Sequence, residues 1–243
     1  SRISLSNNDG NTSNTVFGYN ALTNNGTVLG NVGADFNIAI GELAMGTGTT
    51  TDATYNTAVG YKALEDITSG DNNIGVGAWA GVNLTIGHHN VSVGYGALQA
   101  ETVGNYSIAI GYRSLYSQTS DSDNETTNNV AMGHESGYNN VTGTGNTYIG
   151  SEAGKGGTGS NSNNTGIGSA ALKAITTGVS NVAVGAFAGD SITTGQDNIT
   201  IGLYAGADLT TQDEMTFVGH QAGKAVNNDN SDGMTAIGYQ AAY

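Results

Sequence analysis

One pattern constrains this chain more than anything else in it. Asparagine, a β-branched residue, a small residue, a large apolar residue and glycine return about fourteen times in 243 residues. The glycines are Gly18, Gly30, Gly41, Gly60, Gly77, Gly94, Gly111, Gly133, Gly150, Gly168, Gly185, Gly202, Gly219 and Gly238, and the usual interval is 17 residues, with 18, 19 and 22 where loops lengthen. Gly30 is off-register, so its surroundings read as a doubtful copy or an insertion. Self-similarity at this period is the mark of a repeat architecture in which each unit buries its apolar face against the next.

The columns of the alignment show what each position requires. Large apolar residues precede the glycine (Phe17, Ile40, Val59, Val76, Ile110, Val184), and β-branched residues stand two places earlier (Thr15, Ile38, Ile74, Val91, Val130, Thr235). Mostly small residues lie between them, such as Ala39, Ala58, Gly75, Ser92 and Ala183. This period-two alternation predicts a strand whose large side chains are buried and whose small side chains lie close against another surface, in the same roll or in a neighbouring chain. The strand begins at Asn in ten copies, read as a turn residue tolerant of the left-handed conformation, and ends where Gly permits a bend.

A second segment follows, as in Tyr61-Lys-Ala-Leu64 and Tyr204-Ala-Gly206, and closes on pairs such as Ile67-Thr68, Ile175-Thr176 and Leu209-Thr210. Flanking Gly, Thr and Asn leave no room for a stable helix. The expectation is therefore an all-β parallel β-solenoid, or β-roll, of about fourteen coils with two short strands each. Residues 1–243 form a single repeat domain, with 1–13 as a lead-in and 14–243 as repeats.

Composition narrows the partners. Six Lys and Arg stand against twenty Asp and Glu, a net charge of −14, so nucleic acid is repelled. The 39 Gly without Pro or Cys fit a turn-rich repeat, and the lack of thiols is compatible with an extracellular setting. No run of eighteen apolar residues and no signal-peptide core is found, so insertion in a membrane is not expected and any targeting segment would lie outside this stretch.

The motifs NIAIG at 37–41, NTAVG at 56–60, NVSVG at 90–94 and NVAVG at 181–185 resemble the head repeats of YadA-type trimeric autotransporter adhesins. They are still more similar to the NTAIGYQAL-type repeats of phage tail fibres and environmental bacterial surface proteins. That resemblance implies a left-handed roll, three chains together, and a structural or adhesive role in an extracellular fibre of a cell surface or virion. Host-surface receptors or glycans would bind through exposed loops. The chain departs from the adhesins in its longer repeat, and Met215 and Met234 occupy the Asn column of the last two copies, which puts the turn before those strands in doubt.

No constellation for catalysis is expected: no nucleophile with its base, and no paired carboxylates apart from loops. A polysaccharide-degrading spike enzyme and an ice-binding solenoid are the alternatives. His88-His89, with His134 and His220 elsewhere, read as loop residues rather than metal ligands. No cofactor is expected, although the acidic loops at 121–125 and 229–232 offer weak Ca²⁺ ligands. A threonine column (Thr49, Thr68, Thr85, Thr102, Thr119, Thr158, Thr176, Thr193, Thr210) is the feature behind the ice-binding alternative, and Tyr19, Tyr61, Tyr95, Tyr112 and Tyr239 follow the motif glycine and read first as covers for the roll. Sequons at Asn83, Asn105, Asn124 and Asn198 are near chance frequency. Finally, Ile3 and Leu5 alternate with polar residues in 1–6, which suggests pairing with the last coil of another subunit, head to tail, to make a filament.

Overall fold

The computed structural model describes residues 13–22, 33–48, 50–120, 122–123, 125–156, 158–228 and 231–243. They fall into two compact units, Ser1–Thr127 and Asn128–Tyr243. In the first, β1 (Thr15–Phe17), β2 (Ile38–Ile40), β3 (Thr57–Val59), β4 (Ile74–Val76), β5 (Val91–Val93) and β6 (Ile108–Ile110) pair in sequence order. In the second, β7 (Val130–Met132), β8 (Thr147–Ile149), β9 (Thr165–Ile167), β10 (Val182–Val184), β11 (Ile199–Ile201), β12 (Thr216–Val218) and β13 (Thr235–Ile237) do the same. Every pairing is parallel, and each motif position faces its equivalent one coil on, as Ala58 faces Gly75. The protein is thus an all-β parallel β-solenoid with one strand per coil and no helix among the described residues. The copy around Gly30 and the segment 1–6 lie outside them.

The faces of the strand are the reverse of the sequence expectation. The small central residues point inward: Ala39, Ala58, Ala109, Ala131 and Ala183 are fully buried, while Ile38, Ile74, Ile199 and Ile201 are each about two-fifths exposed. The reason is the asparagine column. Alternation puts Asn on the same side as the small residue two places later, and Asn37, Asn56, Asn73, Asn146, Asn164, Asn181 and Asn198 are fully buried. Small residues are wanted inside because the opposite wall supplies the bulk, from Leu64, Leu98, Leu115 and Leu172 and from Ile67, Leu84, Ile175 and Ile192. Where the inward residue is large, the wall gives way. Tyr148 and Phe217 fill the space beside Gly154 and Gly223, and a Cβ at either glycine would stand within 2.4 Å of the ring.

The buried asparagines that precede the strands are bonded on both sides. Asn73 donates its Nδ2 to the Gly87 carbonyl at 2.8 Å, across the interior of its own coil, and its Oδ1 accepts the backbone N–H of Asn90 at 2.9 Å in the next. Asn56, Asn90, Asn164, Asn181 and Asn198 repeat the pattern. The left-handed backbone belongs instead to the preceding residue, such as Tyr55, Asn72 and His89, at φ near 60°. Met215 and Met234 leave that turn in place, since Glu214 (φ 60) and Gly233 (φ 77) still make it and β12 and β13 still pair.

The expected second strand is absent among the described residues. In its place the chain turns at every second residue, as at Lys62 (φ 57) and Leu64 (φ 47), a conformation that disfavours side chains. The turns are held by bonds to both neighbours: Lys62 N–H to Glu42 O behind and Leu64 N–H to Ala80 O ahead, at 2.9 and 3.0 Å. At the end of the strand only glycine fits. Gly60 has φ +136, and a Cβ there would lie 2.6 Å from the Gly77 carbonyl oxygen of the next coil.

At a second corner three successive N–H groups converge on one carbonyl of the following coil. Thr68, Ser69 and Gly70 all donate to Thr85 O, and Thr176, Thr177 and Gly178 to Thr193 O. In two coils that precede a lengthened one, a side chain takes over this duty. Glu101 Oε1 accepts from Thr102, Val103 and Gly104 at 2.9, 3.1 and 2.8 Å, and Gln212 Oε1 accepts from Thr210 and Thr211 at 2.8 and 3.2 Å. Glu101 is fully buried in the column that elsewhere holds Ile67 and Leu84, and Gln118 and Ser120 bond its other oxygen.

Candidate functional site

Three surfaces carry chemistry. The first is the outer face of the strands. Thr15, Ile38, Thr57, Ile74, Val91 and Ile108 make one column in the first unit, and Phe17, Ile40, Val59, Val76, Val93 and Ile110 make the other. None of these twelve is buried, and the corresponding positions of the second unit are equally uncovered. Two unbroken rows of β-branched and large apolar side chains facing water are unusual for a monomer, because a sheet normally sends such residues inward.

The second surface is aromatic. Tyr61, Trp79, Tyr95 and Tyr112 form a continuous row in the first unit, with ring centroids 6.5, 5.5 and 5.5 Å apart. Lys62 lies over Tyr61, and Arg113 lies 5.2 Å from both Tyr112 and Tyr116. Phe36 stacks on Tyr55, His89 on Tyr106 and Phe187 on Tyr204. The tyrosines after the motif glycine therefore meet aromatics from the neighbouring column, Trp79 above all, which sequence spacing alone does not show. The row stays partly outside: Tyr95 and Tyr112 are 39% and 42% exposed.

The third is a ladder of charge in the second unit. Lys155 bridges Glu135 at 2.8 Å and Glu152 at 3.0 Å, and Glu152 reaches Lys173 at 2.7 Å. The two lysines hold the Glu152 carboxyl down from its ordinary 4.5 to about 2, while Glu135 and Glu152 raise the Lys155 ammonium. Burial keeps the phenol of Tyr148 well above its usual range, and desolvation raises Asp190, helped by Asp208.

The remaining sequence candidates are dispersed. His88 is a structural acceptor, its Nδ1 taking the Asp71 backbone N–H at 2.9 Å, while His89, His134 and His220 are exposed on separate coils. No three His, Cys, Asp or Glu side chains converge among the described residues. In the acidic loops Asp121, Asn124, Asp229 and Asn230 lie outside the described residues. Thr68, Thr85, Thr176 and Thr193 spend their hydroxyls on the carbonyl of the next coil, at 2.9–3.1 Å, and Thr49 lies outside the described residues. Asn105 and Asn198 are buried, Asn83 is half-buried, and Asn124 is outside the described residues. No helix of the described residues is long and apolar enough to cross a membrane.

These features define a class, the parallel β-solenoids whose outer strand face is apolar. Beyond that class, no protein-family model, curated protein or solved structure matches the chain.

Proposed function

We propose that the chain is a structural and adhesive module of an extracellular fibre on a cell surface or virion. In this reading it self-associates as a homotrimer through the outer face of its strands and has no catalytic role. The observation that carries the reading is the pair of apolar columns left in water on that face, from Ile38 and Ile40 to Ile199 and Ile201. Burying them against equivalent columns of further copies removes a large apolar surface that the coils themselves do not cover. The association is thus assigned to the large residues. The inward small residues, which the sequence left open to the same roll or to a neighbouring chain, are sealed in the core.

Sedimentation equilibrium at micromolar concentration tests it, with three chain masses expected. A double change on the face, Val76→Lys with Val93→Lys, should yield monomers of unchanged circular dichroism. A wild-type chain that remains monomeric at tens of micromolar would overturn the assembly and with it the fibre reading.

A further inference from the structure

We propose that Trp79, Tyr95, Tyr112, Gln99 and Arg113 form a binding site for a carboxylate-bearing saccharide. The inference deepens the adhesive reading of the chain and does not depend on its self-association.

The cluster stands out by its unmet hydrogen bonds. Trp79 Nε1, Gln99 Oε1 and Arg113 Nε are buried with no partner, half of the six such side-chain atoms among the described residues. The asparagines before the strands close their polar groups coil after coil, and the other three open atoms belong to Asp35, Asn140 and Asn161. Three open ones at a single place therefore call for a partner from outside the chain. The contacts tie them together. Trp79 packs on Tyr95 and Tyr95 on Tyr112, Arg113 lies over Tyr112 and Tyr116, and a Cβ at Gly96 would meet Gln99 Oε1 at 3.0 Å and the Tyr116 ring at 3.5 Å. Glycine at 96, between Trp79 and Arg113 in the turn column, is what allows Gln99 and Tyr116 to fold in.

The chemistry of the lining selects the ligand. Trp79 and Tyr95 are tilted by 44°, so neither ring lies flat on the other, and a tilted indole–phenol pair suits the C–H side of a pyranose. An indole N–H and an amide oxygen suit sugar hydroxyls. Arg113 and Lys224 have no carboxylate at ion-pair distance among the described residues, whereas Lys62, Lys155 and Lys173 are all paired. A guanidinium in that condition matches a carboxylate through two parallel bonds. A net charge of −14 works against a polyphosphate chain, and a single uronate or sialate at the Arg113 end needs only the local cation.

Trp79 is the only tryptophan of the chain, so its emission reports the site directly. The full chain would be titrated with oligogalacturonate, oligomannuronate and oligosialate, and with methyl-esterified oligogalacturonate as the uncharged control. The expected result is a saturable change in emission with at least one acidic oligomer and at least ten-fold weaker binding of the ester or of that oligomer's own methyl ester. Arg113→Gln and Arg113→Lys should each weaken binding about ten-fold, with thermal melts near wild type, and Lys173→Gln should leave it unchanged. Silence toward all three acidic oligomers at millimolar concentration, equal binding of acid and ester, or binding indifferent to Arg113 overturns the proposal. Sedimentation of the same samples is read separately, so a monomer that binds sugar and a trimer that does not are distinguishable outcomes.

Discussion

Asn73 Oδ1 accepts the backbone N–H of Asn90 at 2.9 Å, so the side chain of one coil fixes the height of the next. Asn73→Leu keeps the volume and removes both the acceptor and the donor to Gly87 O, leaving two buried backbone groups unpaired. At about 1–3 kcal/mol for each, the loss should be about 2–6 kcal/mol. Thermal melts followed by circular dichroism check it, and a change below half a kcal/mol would remove the ladder from the list of what holds the coils together.

The glycine that ends the strand offers an internal control. Gly202 and Gly238 have the same backbone, φ +133 and +128, but a Cβ at Gly202 would meet the Gly219 carbonyl oxygen at 2.4 Å and one at Gly238 would meet nothing within 4 Å. Gly238→Ala should cost only the strained dihedral, about 1–3 kcal/mol. Gly202→Ala should cost that and the displacement of the next coil, and equal losses for the two would show that contact does not matter.

Glu101 is expected to act through its acceptor and not through its charge. Glu101→Gln keeps an oxygen for Thr102, Val103 and Gly104 but turns an amide NH2 toward Gln118 and Ser120, and should cost less than Glu101→Ala, which strands three N–H groups and should cost about 3 kcal/mol or more. Denaturant melts of the two variants settle the order, and the reverse order would mean that the buried charge itself is used.

Acid should loosen the ion-pair ladder of the second unit. The Glu152 carboxyl sits at about 2 in the folded chain, below its ordinary 4.5. A depressed carboxyl adds stability that is complete above the unfolded value and is lost as pH falls from about 4.5 through 2. Because the side chain is 30% exposed, screening limits the contribution to about 1 kcal/mol at low salt. The gap between wild type and Glu152→Gln should therefore close between pH 5 and 2. Parallel stability curves across that range would contradict the role of the pair.

Much of this molecule was legible in its repeat. The glycine column marked every strand end among the described residues, and the apolar and small columns located every strand. What the alternation does not carry is its sign. Burying the large residues is the default, and the asparagines, read as turn residues, gave no warning that they lie inside. The residue six places on gives no clean signal either: it is glycine after Tyr148 and Phe217, at Gly154 and Gly223, but also after the small Gly75, Ala131 and Ala183, at Gly81, Gly137 and Gly189. The aromatic row was half visible in the tyrosines after the motif glycine. Trp79 meets them from the neighbouring column of an adjacent coil, a relation that no single repeat contains.

The double-sided bonding of each turn also governs how such a stack yields to load. Since Lys62 is tied backward and Leu64 forward, the backbone of this turn is bonded to both neighbouring coils of its own chain. Tension applied across either unit concentrates on the outermost coil alone. Peeling would proceed one turn at a time, each 17-residue step releasing about 60 Å of slack, so the material behaves as a ratchet of equal, small yields instead of a single brittle break.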